Sequence, residues 1–154
     1  MAPPRKIVLE QTNSHQTFHN AQYVLLCAAM ISAAVFIIVA ALNDQTAGKP
    51  SEVTGNTFFK TTVSLAVIGM TILFINYYRS SSRTLYVLKI LSHLAAIALV
   101  ITASSELTDF HNEKSSPTAS ETNIMTFGGI TIGLVGVGAL LGIINAAHEF
   151  SFLF

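Results

Sequence analysis

Four long apolar stretches, separated by polar segments, dominate the pattern of hydrophobic and polar positions along the chain. Each stretch is close to the roughly 20 residues that a helix needs to cross a hydrocarbon core about 30 Å thick. Backbone groups in lipid must hydrogen-bond internally, and the apolar runs are continuous rather than alternating, so each run predicts a transmembrane α-helix. The predicted fold is an all-α integral membrane bundle of four transmembrane helices, with spans over residues 23–42, 58–78, 85–104 and 124–150.

The polar segments divide the chain into three regions. Residues 1–22 are a polar N-terminal segment, residues 23–150 form the four-helix transmembrane domain, and residues 151–154 are an apolar tail expected at the membrane interface. Inside the domain, polar residues 43–57 and 105–123 predict loops.

The distribution of lysine and arginine near the span ends predicts an orientation. One side of the membrane would carry five basic residues and the other side three, which are respectively Arg5, Lys6, Arg79, Arg83 and Lys89, and Lys49, Lys60 and Lys114. Because cytoplasmic segments are enriched in Lys and Arg, this bias places both termini on the cytoplasmic side.

Composition excludes a soluble domain and several classes of function. Only 10% of the residues are charged and 51% are hydrophobic, whereas a soluble domain carries roughly 25% charged residues. The net charge of zero argues against a nucleic-acid partner. The single cysteine, Cys27, rules out an intrachain disulfide, and it also rules out the paired cysteines that claudins and tetraspanins carry. No family resemblance follows from the four-span layout alone.

The fourth apolar stretch contains six of the nine glycines. Gly129 and Gly133 form one pair of small residues four positions apart, and Gly138, Gly142 and Ala146 continue a second row. Because lipid tails are as apolar as leucine, membrane helices associate through close packing of small residues and through hydrogen bonds. These rows therefore predict helix packing, either within the bundle or against another subunit or another copy of the chain.

Polar and titratable residues inside the apolar stretches collect at one end of the predicted bundle. Lys89 and His93 are four positions apart and share one helix face. Ionisable groups in a membrane are costly, so Glu149 is expected to pair with Lys89. The full predicted cluster is Asn76, Lys89, His93, Asn145, His148 and Glu149. A structural role is favoured for this cluster, and an ion or proton pathway and cofactor ligation by His93 and His148 are the alternatives.

The sequence contains no recognisable phosphate loop, nucleophile–base pattern or zinc-binding His-Glu motif. We therefore predict that the protein is not an enzyme and has no catalytic residue, metal or cofactor. The predicted function is that of a structural or accessory multi-pass membrane protein, a subunit or anchor of a larger membrane assembly such as a viral envelope or an energy-transducing complex. Its partners would be membrane lipid and other membrane subunits or copies of itself. The alternative is an oligomeric ion channel or proton-coupled transporter that uses Lys89, His93 and Glu149.

Overall fold

The computed structural model describes residues 5–49, 52–78 and 83–153, and their side chains over 17–49, 52–77 and 83–150. Arg79 and the side chains of the predicted tail 151–154 lie outside this description. The described residues form four α-helices joined by short connections, and the helix bounds are α1 Arg5–Ala47, α2 Thr57–Tyr78, α3 Arg83–Glu113 and α4 Ala119–Leu153. All four helices are long and apolar enough to cross a membrane, which confirms this part of the predicted fold.

The helices extend beyond the apolar stretches that predicted them. The polarity of the sequence predicted loops over 43–57 and 105–123, but residues 43–47, 57, 105–113 and 119–123 are helical. Hydropathy marks the part of a helix that lipid can cover, whereas the helix itself ends where capping groups satisfy its last backbone atoms. At the end of α1, Gly48 adopts a positive φ of 66°, a common way to terminate a helix.

Polar side chains define the starts of α2 and α4. The Asn56 side-chain oxygen accepts a hydrogen bond from the Phe58 backbone N–H at 2.9 Å. Thr118 and Glu121 form a reciprocal capping box, in which the Thr118 hydroxyl accepts from the Glu121 backbone N–H at 3.2 Å and the Glu121 carboxylate accepts from the Thr118 N–H at 3.3 Å.

The four helices form an antiparallel bundle in which α1 makes its most extensive contact with α4. α3 packs between α2 and α4, and α2 also approaches α4 across the bundle. In the described residues, no Cα atom of α1 comes within 8 Å of a Cα atom of α3. α1 and α3 therefore lie on the long diagonal of the bundle, so that only side chains can link them.

Buried positions recur on each helix with alternating spacings of three and four residues. On α1 they include Gln22, Leu26, Ala29, Ala33, Phe36 and Ala40, and on α2 they include Phe58, Thr62, Leu65, Gly69, Ile72 and Asn76. On α3 they include Lys89, His93, Ala96, Ala103 and Phe110, and on α4 they include Ile124, Gly128, Thr131, Val135, Gly138, Gly142 and Asn145. This seven-residue period is the one that packs side chains of neighbouring helices between one another.

The outer surface of the bundle is rich in large apolar side chains. Large hydrophobic side chains point outward on all four helices, including Val24, Ile31, Ile38, Val67, Phe74, Leu91, Leu94, Ile101, Ile130, Val137 and Leu140. A soluble monomer rarely exposes so large a contiguous apolar surface. The surface is suited to lipid, which agrees with four membrane-spanning helices.

Aromatic side chains fill one end of the bundle, which we call the Phe58 end. The Phe58 ring lies between Phe36 and Phe110, with ring centroids 5.6 and 5.5 Å away. Gly128 makes room for these rings, because a Cβ atom at this position would lie 2.6 Å from Phe58 and 3.0 Å from Phe36. The opposite end, which we call the His93 end, is polar.

Candidate functional site

An ion pair joins α3 to α4 at the His93 end. The Lys89 ammonium lies 2.8 Å from a carboxylate oxygen of Glu149, and the two side chains are 7% and 27% exposed. The structure thus contains the pairing expected from the sequence. Because each charge neutralises the other, the pair reduces the penalty of holding either group away from water.

His93 lies one helical turn beyond Lys89 and is completely buried. Its Nδ1 atom is 2.6 Å from the Lys89 backbone carbonyl oxygen, and its Nε2 atom is 2.7 Å from the side-chain nitrogen of Gln22 on α1. Both ring nitrogens are therefore engaged, so ligation of a metal or haem would first require one of these bonds to break.

The hydrogen bonds of Gln22 determine which ring nitrogen of His93 carries the proton. The Gln22 side-chain nitrogen also donates to the Gly138 carbonyl oxygen at 3.1 Å, and its side-chain oxygen accepts from the Asn76 amide at 3.0 Å. These two contacts fix the orientation of the Gln22 amide, so its nitrogen faces His93 as a donor. His93 Nε2 must then accept this hydrogen bond. The proton sits on Nδ1, which donates to the Lys89 backbone carbonyl oxygen.

The resulting chain of hydrogen bonds runs from Asn76 on α2 through Gln22 on α1 to His93 on α3, with a branch to Gly138 on α4. We call these four residues the His93 network. It touches all four helices, and all three of its side chains are buried. It also provides the side-chain link across the long diagonal between α1 and α3.

Gln22 is the member of the network that was not predicted from the sequence. It was assigned to the polar N-terminal segment, because the apolar stretch begins only at residue 23. Gln22 precedes the buried residues Leu26, Ala29 and Ala33 at spacings of four, three and four residues, but this period is recognised only once the buried face of α1 is known. Extending this period by one turn places Gln22 on the buried face of α1.

The predicted glycine rows face different environments. Gly142 lies directly against His93 and Gln22, so that a Cβ atom there would overlap both side chains. A Cβ atom at Gly138 would lie 3.1 Å from Leu26. Gly129 is half-buried near Leu107, whereas Gly133 is exposed and nothing lies within 4 Å of the position of its missing Cβ.

Asn145 and His148 complete the predicted cluster. Asn145 is fully buried, but its side chain makes no hydrogen bond to the other residues that the structure describes. His148 is exposed. The Tyr86 hydroxyl, which was not predicted as part of the cluster, donates to the Ala146 carbonyl at 3.0 Å and adds a further bond between α3 and α4.

A second polar layer lies nearer the Phe58 end. Thr131 on α4 donates to the Ser32 hydroxyl on α1 at 3.0 Å, and Ser32 donates to the Phe127 carbonyl at 3.0 Å. Between this layer and the His93 network, the interior is filled by apolar side chains, and Leu26, Leu65 and Val135 are completely buried there. The interior therefore alternates polar, apolar and polar layers.

Polar interactions also stabilise the connections at the Phe58 end. The Asp44 carboxylate accepts hydrogen bonds from the Val53 and Thr54 backbone N–H groups at 2.7 and 3.0 Å, and so anchors the connection from α1 to α2. Lys114, in the connection from α3 to α4, lies 2.8 Å from Glu121. This hydrogen bond to Glu121 raises the pKa of Lys114 above its ordinary value.

An open cavity of about 300 Å³ lies at the same end, between α2 and α3, lined by Asn56, Thr57, Phe58, Glu106, Asp109, Phe110 and Glu113. Three of these residues are carboxylates. Nevertheless, across the described part of the chain, no three His, Cys, Asp or Glu side chains are grouped so that they could hold a metal ion.

Comparison with protein-family models, with curated proteins and with solved structures found no match for this chain. The class of protein therefore rests on the fold itself: four apolar helices with a lipid-suited surface and polar layers in the interior indicate a multi-pass membrane protein.

Proposed function

We propose that this chain is a structural or accessory multi-pass membrane protein that serves as a subunit or anchor of a larger membrane assembly. The observation that carries the proposal is how the interior is used. Lys89 is paired with Glu149, and His93 and Gln22 are bonded to each other and to backbone carbonyls. These groups hold helices together, which is the work of a scaffold.

The apolar layer of the interior supports the same proposal. An ion or proton that crossed the bundle would have to pass Leu26, Leu65 and Val135, each of which is completely buried. Such a layer offers no group that could solvate a charge, and an unsolvated charge in an apolar medium is strongly unfavourable.

The exposed position of Gly133 supports the proposal that the chain belongs to a larger assembly. This glycine is exposed on the outward face of α4, between the exposed side chains of Ile130 and Val137. A glycine on a lipid-facing surface lets the backbone of another helix approach closely, and such approach is what associates helices in membranes. We propose that a helix of another subunit packs at Gly133, with both termini of this chain on the cytoplasmic side.

The test is to add bulk at this surface. Gly133→Leu adds a large side chain to this outward face, where nothing lies within 4 Å of the Cβ position. Ala98→Leu adds a similar side chain to the exposed face of α3 and is the matched control. After cross-linking in the membrane, Gly133→Leu should lose the cross-linked complex and Ala98→Leu should retain it. A complex unaffected by Gly133→Leu would exclude this surface.

One observation favours the alternative of an ion channel or proton-coupled transporter: Lys89, His93 and Glu149 do lie together. The two functions predict different fluxes of ions or protons across a membrane that contains the protein. If the alternative were correct, liposomes that contain the purified protein would conduct ions or protons, and His93→Ala would abolish or alter the conductance. The structural proposal predicts the same flux as in empty liposomes for both proteins.

A further inference from the structure

We infer that the Gln22–His93 hydrogen bond is a proton-sensitive latch, which holds α1 to α3 only while Nε2 of His93 carries no proton. The ligand of this site is the proton itself. The inference goes beyond the proposed structural role and does not depend on any partner subunit.

The Gln22–His93 bond lies across the long diagonal of the bundle. The backbones of α1 and α3 do not approach within 8 Å in the described residues, whereas the Gln22 side chain reaches His93 at 2.7 Å. A bond across the long diagonal therefore connects two helices that have no backbone contact of their own. Losing it removes this direct link, and α1 is then held relative to α3 through its contacts with α2 and α4.

The Gln22–His93 bond also has a fixed direction, because Gln22 bonds to Gly138 and Asn76 as well. Gln22 presents an N–H group to Nε2 of His93, so a proton on Nε2 would place two donors face to face at 2.7 Å. Turning the Gln22 amide over would not solve this conflict. It would direct the side-chain oxygen at the Gly138 carbonyl and lose that hydrogen bond. The bond between Gln22 and Asn76 could form again only if the Asn76 amide also turned, which its oxygen, without a partner in the described residues, would allow. A proton on Nε2 therefore costs either the Gln22–His93 or the Gln22–Gly138 hydrogen bond.

The charged groups around the ring come from α3 and α4. Lys89 on α3 and Glu149 on α4 both act electrostatically on His93. α1 presents the uncharged amide of Gln22 to the ring, and the uncharged amide of Asn76 on α2 bonds to Gln22. Glu149 is partly exposed, so it connects the ring region to the surface of the bundle. When the latch opens, a hydronium ion gives a proton to Nε2, so that one O–H bond breaks, one N–H bond forms and a water molecule is released. The imidazole becomes a cation, and the Gln22–His93 hydrogen bond is lost.

The direction of the pH dependence follows from proton counting. The open state binds one proton at Nε2 that the closed state does not bind, so acidification favours opening and a higher pH favours closure. Histidine is the side chain whose charge changes nearest neutral pH.

The test measures the proton and the opening in one full-length sample in lipid nanodiscs. In a Cys27→Ala background, spin labels at Tyr23 on α1 and Leu91 on α3, which are 55% and 56% exposed, report the distance across the diagonal. ¹⁵N NMR of labelled histidine reports the protonation of His93. At neutral pH we expect a proton on Nδ1 alone and one short distance. On acidification, the distance should lengthen with the same midpoint as proton uptake at Nε2.

Two variants separate the latch from general acid effects. His93→Gln keeps an acceptor near Nε2 but does not titrate in this range, so the distance should no longer respond to pH. His111→Gln removes an exposed histidine of the same helix and should leave the response as in the parent. The inference is overturned if His93→Gln retains the full response. If His93→Gln does not fold, the parent protein still decides: a proton on Nε2 at neutral pH, or a constant distance when both ring nitrogens become protonated, overturns it.

Discussion

At the scale of single residues, Gly142 shows how the polar interior depends on the absence of a side chain. His93 and Gln22 occupy the space in which a Cβ atom at position 142 would lie. The two side chains can bond to each other only because α4 presents bare backbone at this position. The same helix carries Gly133, where a Cβ atom would meet nothing.

This contrast gives a matched pair of substitutions. Gly142→Ala should destabilise the folded protein by about 1–3 kcal/mol, because the added methyl group overpacks the core and disturbs a buried hydrogen bond. Gly133→Ala makes the same change in helix propensity without an overlap, so it should be neutral or slightly stabilising. Reversible unfolding in mixed micelles measures both. Equal stability of the two variants would contradict the position given to Gly142.

The Lys89–Glu149 pair makes a second prediction at this scale. Lys89→Met removes the ammonium from a partly exposed carboxylate and should destabilise the protein by about 1–3 kcal/mol, between the values typical of exposed and of fully buried pairs. Adding Glu149→Gln should recover much of this loss, because the remaining charge is then removed. Additive effects in this double-mutant cycle would show that the two charges do not interact.

The sequence indicated some of these residues and not others, for a physical reason. A charge or an imidazole inside an apolar stretch is conspicuous, so Lys89, His93 and Glu149 could be found directly. Gln22 could not be found in this way, because it ends a polar segment, in which one more polar residue is not conspicuous. Which glycines face inward depends on the rotation of α4 in the bundle, and spacing alone does not give that rotation.

At the scale of the helices, hydropathy located all four elements but not their ends. Apolar stretches correspond to what lipid covers, while caps such as Asn56 and the Thr118–Glu121 pair set the ends of α2 and α4. The seven-residue period of buried positions carries the packing information. It was hidden in the sequence because exposed positions in a lipid-facing helix are as apolar as buried ones.

The connection from α1 to α2 gives a prediction at this scale. Asp44→Ala removes the acceptor of the Val53 and Thr54 backbone N–H groups, so this connection should open more often and be cleaved faster by a protease. Glu52→Ala changes an exposed acid of the same connection and should leave the cleavage rate unchanged. Limited proteolysis followed by mass spectrometry measures both rates. Equal rates would show that Asp44 does not anchor the connection.

At the scale of the whole molecule, the number of helices and their antiparallel course followed from the sequence. The extensive contact between α1 and α4 and the long diagonal between α1 and α3 did not. Those features depend on which helix faces carry the small residues that allow close packing, and several helices carry small residues on more than one face. The orientation in the membrane remains a prediction, because it depends on the lysine and arginine bias alone.

Orientation can be measured with single cysteines in a Cys27→Ala background. If both termini are cytoplasmic, Ser115→Cys in the connection from α3 to α4 should react with an impermeant maleimide added to intact cells. Thr84→Cys, at the start of α3 on the opposite side, should react only after the cells are permeabilised. Both residues are exposed. The reverse pattern would show that the charge bias does not set the topology of this chain.

The central claim is that this bundle is a structural or accessory part of a larger membrane assembly. Native mass spectrometry of the protein, gently extracted from its source membrane, tests that claim most directly. The account predicts a mass well above that of one 16.5 kDa chain, with other membrane subunits bound to it. Recovery of a strict monomer without partners under the same mild extraction would contradict the claim.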